Sequence, residues 1–266
     1  MPGTPNGSRL ARTRGVARIA IAGIILCLPL APEAMADPTW YAELGPGVAV
    51  FPKYPGARAE RVWPIPAAEI RYGDSLFFNT RRGLGLSWHN DPQWEMGVSL
   101  WLRKGRNHDD GAAVAELEDI KTAAQAQLFM TSHCGPVWFD TTASADIGGS
   151  KGLTLDFSTA WRFAPSTRLS GSVGVGVSVA SRKFMQTWFG ITAEQSAASG
   201  LPQYSPGGGV KSAGPTATLR YALTDRWSIN TALLYDVLLV KAADSPVFER
   251  RGLPTATIGV AYRFAP

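Results

Sequence analysis

The residues best suited to chemistry in this 266-residue chain are its three histidines, His89, His108 and His133, with Cys134 and the carboxylates near them. A hydrolytic centre needs a nucleophile or an activated water, a base within hydrogen-bond reach and a group that orients the base. His108-Asp109-Asp110 supplies a base and acids, but it sits in the polar run GRNHDDG, which reads as a solvated loop. A metal there would need further ligands that the spacing does not offer. His133 stands beside Cys134 at a Gly-Pro turn and lacks a third member. These residues point to no cofactor and no metal, and catalysis is not the expected activity.

Paired charge is the more promising chemistry. The acids Glu43, Glu69, Glu95, Asp140, Asp156 and Asp236 and the bases Arg71, Arg103, Arg162, Arg220 and Arg263 all fall on the polar side of alternating segments. Six acids against five arginines is nearly balanced. Charges in a confined space are costly unless paired and hydrogen-bonded, so a mixed set of this kind predicts a network of ion pairs.

The elements that carry these charges read as strands. RLSGSVGVGVSVAS places Leu169, Val173, Val175, Val177 and Val179 on one face and Ser170, Ser172, Gly174, Gly176 and Ser178 on the other. GLTLDFSTAWRF, WEMGVSLWL and WSINTALLYDVLL alternate in the same way. Period-2 alternation is the signature of a two-faced strand. It suits a soluble sandwich, and equally a membrane barrel in which the apolar face meets lipid and the polar face lines the lumen.

The ends of the chain favour the barrel. Arg9, Arg12, Arg14 and Arg18 precede the apolar run IAIAGIILCLPLA, and Ala34-Met35-Ala36 follows. A basic stretch, a short apolar stretch and an A-x-A site form a secretory signal peptide, expected to be cleaved near Ala36. The run is too short to cross about 30 Å of hydrocarbon as a helix. Residues 1–36 hold four arginines against one acid, so most of the formal +5 charge belongs to targeting and none of it argues for nucleic acid. One cysteine beyond residue 36 leaves no internal disulfide. At the other end, ATIGVAYRF alternates and closes on Phe264, two residues from the end of the chain, like the C-terminal signal of outer-membrane barrels. Trp and Tyr recur at strand ends, as interfacial girdles require.

An Arg-aromatic pair also recurs: IRY at 70–72, WRF at 161–163, LRY at 219–221 and YRF at 262–264. Each would set an aromatic at the periplasmic interface and an arginine in the barrel mouth. The chain therefore divides into residues 1–36, a leader, and residues 37–266, an all-β, single-chain antiparallel transmembrane barrel. Strands are predicted at 40–51, 61–72, 75–81, 83–89, 93–104, 120–133, 136–147, 152–164, 167–184, 210–223, 226–241 and 252–264. Single-chain bacterial barrels have even strand numbers, so twelve is preferred, with ten as the fallback around residues 73–90.

One long loop interrupts this regularity. In FGITAEQSAASGLPQY, Thr192 and Gln195 have the form of a capping box, with Gly200 as the helix stop. A short helix is expected there, with Phe189, Leu201 and Tyr204 folded onto the extracellular mouth. That run, with LRYALTDRWSI, LLVKAADSPVF, the closing AYRF and the first hairpin GPGVAVFPKYPGAR, resembles the MipA/OmpV family of outer-membrane proteins. The likeness covers nearly the whole chain beyond the leader. It departs at ELEDI, 116–120, and at Val240-Lys241, where the family carries glycine-aspartate.

The resemblance implies an outer-membrane barrel acting as a non-catalytic scaffold. Its partners would be membrane lipid, a lytic transglycosylase and a penicillin-binding protein. Phe189, Thr192, Gln195, Gly200, Leu201, Tyr204 and Asp244 are the loop residues expected to meet a partner. The alternatives are a narrow channel for small solutes and an outer-membrane hydrolase.

Overall fold

The computed structural model describes residues 40–264, and the expected leader lies outside them. The strands are β1 Trp40–Pro52, β2 Glu60–Tyr72, β3 Leu76–Asn79, β4 Gly83–Asp91, β5 Trp94–Arg103, β6 Ala123–Cys134, β7 Val137–Ile147, β8 Leu153–Phe163, β9 Leu169–Ala180, β10 Gly209–Ala222, β11 Trp227–Leu238 and β12 Gly252–Phe264. Each pairs antiparallel with its neighbours in the chain, and β1 closes on β12. Twelve strands, the preferred count, form the barrel among the described residues.

Alternation decides which way each strand faces. Leu84, Leu100, Leu102, Leu128, Leu153, Val173, Val175 and Leu233 stand exposed on the outer wall. Between them Ser87, Ser99, Ser144, Ser178, Ser212 and Ser228 are buried on the inner side. Water would punish that arrangement, whereas lipid rewards it. Closure also leaves each strand a neighbour on both sides, which the hydrocarbon requires because it offers no hydrogen bonds.

Four expectations change. The eleventh strand was expected to reach residue 241, but β11 stops at Leu238 and a short helix covers Val240–Ala243. The ninth strand was expected to reach residue 184, but β9 stops at Ala180 and helix α1, Arg182–Phe189, begins. Phe184, Met185, Trp188 and Phe189 recur at helical spacing and are all buried, and the Ser181 side chain accepts a bond from the Phe184 N–H. The third strand contracts from 75–81 to Leu76–Asn79, because Asn79 Oδ1 accepts from the Arg81 and Arg82 N–H groups and turns the chain. The sixth begins at Ala123 rather than 120, since Ile120 pairs with Arg106 in the preceding loop.

At the end holding Trp40 and Phe264 the connections are short: 73–75, 92–93, 135–136, 164–168 and 223–226. Long ones, 53–59, 104–122, 181–208 and 239–251, cluster at the opposite end. Short turns face the periplasm and long loops face outward in such barrels, which orients the molecule. The long loops pack into a cap. Tyr54, Val114, Leu117, Met185, Phe189 and Val247, from four separate loops, share one buried apolar cluster. Helix α3, Val240–Ala243, adds Ala242 and Ala243 to that cluster, while helix α2, Ala193–Ser199, has no buried residue and lies outside it.

Candidate functional site: a capped lumen laced with charge

At the periplasmic mouth Glu43 is almost fully buried. Its carboxylate accepts two bonds from Arg220, at 2.6 and 2.7 Å, and one from Arg263 Nε at 2.9 Å. β1 places Glu43 beside Arg263 of β12 by register, while Arg220 reaches it from β10 across β11. Asn230 Oδ1 accepts a further bond from Arg220. A bidentate guanidinium with a second arginine alongside fixes the relative height of strands that are not neighbours.

Around the wall, Arg71 bonds to Glu69 at 3.0 Å and approaches Glu95 at 3.8 Å, where His89 also lies, 3.6 Å away. Arg162 lies 3.2 Å above the Trp138 ring, whose other neighbour is the stacked His133 ring at 4.5 Å. The four arginines of the recurring Arg-aromatic pairs, Arg71, Arg162, Arg220 and Arg263, thus occupy one end of the lumen.

Deeper in, Asp140 is held by Arg82, and by Arg81 at 2.8 Å. Thr131 and Thr142 also donate to it. The Arg82 guanidinium lies 3.8 Å from the Phe129 ring centroid. Beneath the cap, Arg103 Nε bonds Asp146 at 2.9 Å. Asp156 lies opposite Ser178, which lies opposite Ser212, and Asp236 comes against Gly214. A bulge between Val210 and Ser212 falls at Lys211 on this level. Phe184 seals the ceiling, with Arg103 5.0 Å and Lys211 5.7 Å from its ring.

The partners Arg81, Arg82, Asp146, Lys211 and Trp138 were absent from the sequence reading. Asp146 and Trp138 share the inward parity of Asp140, a usable signal. The two arginines sit in a turn and Lys211 on a bulge, where alternation says nothing.

The cap residues separate by burial. Phe189 is fully buried, and its carbonyl accepts from Ser245 Oγ at 2.6 Å. Leu201 and Tyr204 pack on the cluster's edge, and the Tyr204 hydroxyl donates to the Lys241 carbonyl at 2.8 Å. Burial, then Asp244, raises the Tyr204 phenol. Thr192 and Gln195 form the reciprocal capping box of α2, and Gly200 ends the helix at φ 73°. Thr192, Gly200 and Asp244 face solvent. Arg106, buried inside the cap, donates to the Trp188 and Glu118 carbonyls, each at 3.3 Å. Burial lowers the Arg106 pKa, and burial followed by Glu249 raises that of Tyr54.

His108 lies on the cap's outer surface, its Nδ1 3.0 Å from Asp119 Oδ1 and its Nε2 3.3 Å from Asp109. Asp110 turns away to pair with Arg61. The triplet is thereby split, His108 turning to Asp109 and Asp119 while Asp110 turns to Arg61. Among the described residues no group of three or more His, Cys, Asp and Glu is arranged to hold a metal.

An apolar outer wall, an interior that holds several Arg–carboxylate pairs and a loop cap over one mouth define a transmembrane β-barrel of the outer membrane. The family model described as MltA-interacting protein MipA matches residues 44–264, and the chain belongs to that family. Relatives named MltA-interacting protein, from Escherichia coli (strain K12) and Shigella flexneri, are each 25% identical over 230 residues, covering 83% of this chain and 89% of theirs. Among solved structures, an outer membrane channel from Pseudomonas putida F1 is similar at 12% identity and a TM-score of 0.45, over 89% of this chain and 99% of its own. The NanC porin is similar at 9% identity and a TM-score of 0.42, over 84% and 100% respectively.

Proposed function

We propose that this protein is a non-catalytic interaction protein of the cell envelope, exported by a leader cleaved near Ala36. In this reading its periplasmic rim holds a lytic transglycosylase, with a penicillin-binding protein as second partner. The observation that carries it is the lumen itself, where Glu43, Asp140 and Asp146 are each committed to arginines beneath a packed apolar cap. A barrel so braced is a rigid platform rather than an open pore. The names of the relatives in Escherichia coli and Shigella flexneri support a partner of this kind.

The rim offers the turns 73–75, 92–93, 135–136, 164–168 and 223–226 above a girdle that includes Trp40, Tyr72, Trp227 and Phe264. The test is a pull-down from solubilised envelope with the refolded barrel as bait, its folding verified by heat-modifiable gel migration. Retention of a lytic transglycosylase, absent with an unrelated barrel, is the expected result. Equal retention by both baits removes the reading.

A narrow channel is the second reading. Leu234 shares the inward parity of Ser228 and Asn230 yet is 40% exposed, so the lumen is not packed solid. Discrete conductance steps across a planar bilayer would favour it.

A further inference from the structure

The barrel wall has a window. β3 and β4 are short, so β2 is paired on that side only from Glu69 to Tyr72, against Asn79 to Leu76. Across the gap, β5 continues to Arg103 beyond its last β4 pair at Leu84↔Leu100. Residues 60–67 of β2 pair with β1 on one side but have no strand partner on the side of the gap among the described residues, apart from one bond in which Thr80 Oγ1 donates to the Pro66 carbonyl. From Val62 to Ala67 this edge runs roughly 15–20 Å at about 3.3 Å per residue.

Which backbone groups point into the window follows from register. Ala68 exchanges bonds with Thr80, its carbonyl accepting from the Thr80 N–H at 3.1 Å and its own N–H donating to Thr80 Oγ1 at 3.0 Å. Both backbone groups of a strand residue point to the same side, and the side alternates. Pro66, Pro64 and Val62 therefore face the window with Ala68, in a register that runs unbroken against β1. Two of those three positions are proline, which has no N–H. An unsatisfied N–H in hydrocarbon costs several kcal/mol, so proline is the residue that suits an edge bare to lipid. Proline equally blocks a further strand from adding there, which argues against a second copy pairing on this edge.

The frame is amphipathic. Val62 and Leu102, at 68% and 65%, are among the most exposed large apolar residues of the chain. On the lumen side, Ile65 and Ala67 lie over Gly47 and Gly259: a Cβ on Gly47 would come within 3.3 Å of Ile65, and one on Gly259 within 2.7 Å of Ala67. At the extracellular head of the window the exposed Lys104 stands 4.5 Å over the Trp63 ring, while Arg61 is occupied by Asp110. Lys104 is in no ion pair among the described residues, so one free cation sits above an apolar slot.

We propose that this window is a lateral binding site for an anionic lipid of the outer leaflet, whose hydrocarbon chain enters between β2 and β5 to reach Ile65 while Lys104 meets its headgroup. The site is independent of the periplasmic rim and of any partner held there.

The test uses the full chain with Cys27→Ser and Cys134→Ser, and a bimane fluorophore on Ile65→Cys or on Ser172→Cys. Ser172 also faces the lumen but lies on the continuous wall, bonded to Thr218. Both proteins are reconstituted in phosphatidylglycerol vesicles with and without bromine-bearing acyl chains. Bromine should quench the Ile65 probe at least about five-fold more than the Ser172 probe, and Lys104→Glu should halve that quenching. Equal quenching at both positions overturns lateral access. Quenching that is the same in phosphatidylcholine and indifferent to Lys104→Glu overturns the anionic headgroup. Should Ile65→Cys fail to show heat-modifiable folding, Ala67→Cys carries the same comparison.

Discussion

Replacing Glu43 by alanine should destabilise the barrel by about 2–3 kcal/mol. Three charge-assisted bonds converge on this carboxylate, two from Arg220 and one from Arg263. Removing one partner of a buried pair costs about 3–5 kcal/mol, most of it from the charge left behind. Here the orphans are not fully buried: the Arg220 and Arg263 side chains are 33% and 42% exposed, against 5% for Glu43. Water at the mouth rehydrates them in part, which brings the expectation down. The assay is reversible urea unfolding of the barrel in lipid vesicles, followed by tryptophan fluorescence and gel migration. A double-mutant cycle should couple Glu43 more strongly to the bidentate Arg220 than to Arg263. A loss below about 0.5 kcal/mol for Glu43→Ala, or equal coupling to both arginines, would refute the view that this network sets strand register.

Other perturbations probe the cap. Val240 is β-branched, 67% exposed, and held at φ 42°, so Val240→Gly should stabilise by about 1 kcal/mol in the same urea titration, the relief of left-handed strain exceeding glycine's entropy cost. Phe189→Ala empties a fully buried site and should cost the cap about 3–5 kcal/mol, seen as faster amide exchange across residues 181–208 with the strands unchanged. The hydrogen bond His108 makes to the Asp119 carboxylate, and then the Asp109 charge, raise His108 above the ordinary histidine value of 6.5, so its contribution is complete below that value and disappears as pH rises through the raised pKa. Asp119, lowered from 3.8 chiefly by the His108 N–H, contributes above 3.8 and loses its effect as pH falls through its folded value. The loop is therefore tightest between the two, and Asp119→Asn should return the His108 ring titration, read by NMR, toward its ordinary midpoint.

Much of the architecture was legible in the chain because period-2 alternation is a property each strand carries alone. Val173 to Val179 face outward and Ser170 to Ser178 inward whatever their neighbours are. The α2 helix was equally local, since Thr192, Gln195 and Gly200 make their contacts within nine residues of one another. The strand predicted to 184 failed for the complementary reason. Phe184, Met185, Trp188 and Phe189 become a helix because the other loops supply the apolar surface they cover, and that surface exists only once the barrel has gathered those loops at one end.

The same division holds for the lumen and the window. Sequence alone determined which charges point inward, among them Glu43, Arg220 and Arg263. Only closure decided that Arg220 meets Glu43 across β11, while Asp140 takes its arginines from the turn after β3. Pro64 and Pro66 read simply as two prolines within a strand. Their meaning came from the shortness of β3, which leaves bare the edge toward which their missing N–H groups would have pointed. Facing is set by the geometry of a single pleated chain, whereas partnership depends on the stagger between strands, and in a barrel that stagger is fixed only when the last strand closes on the first.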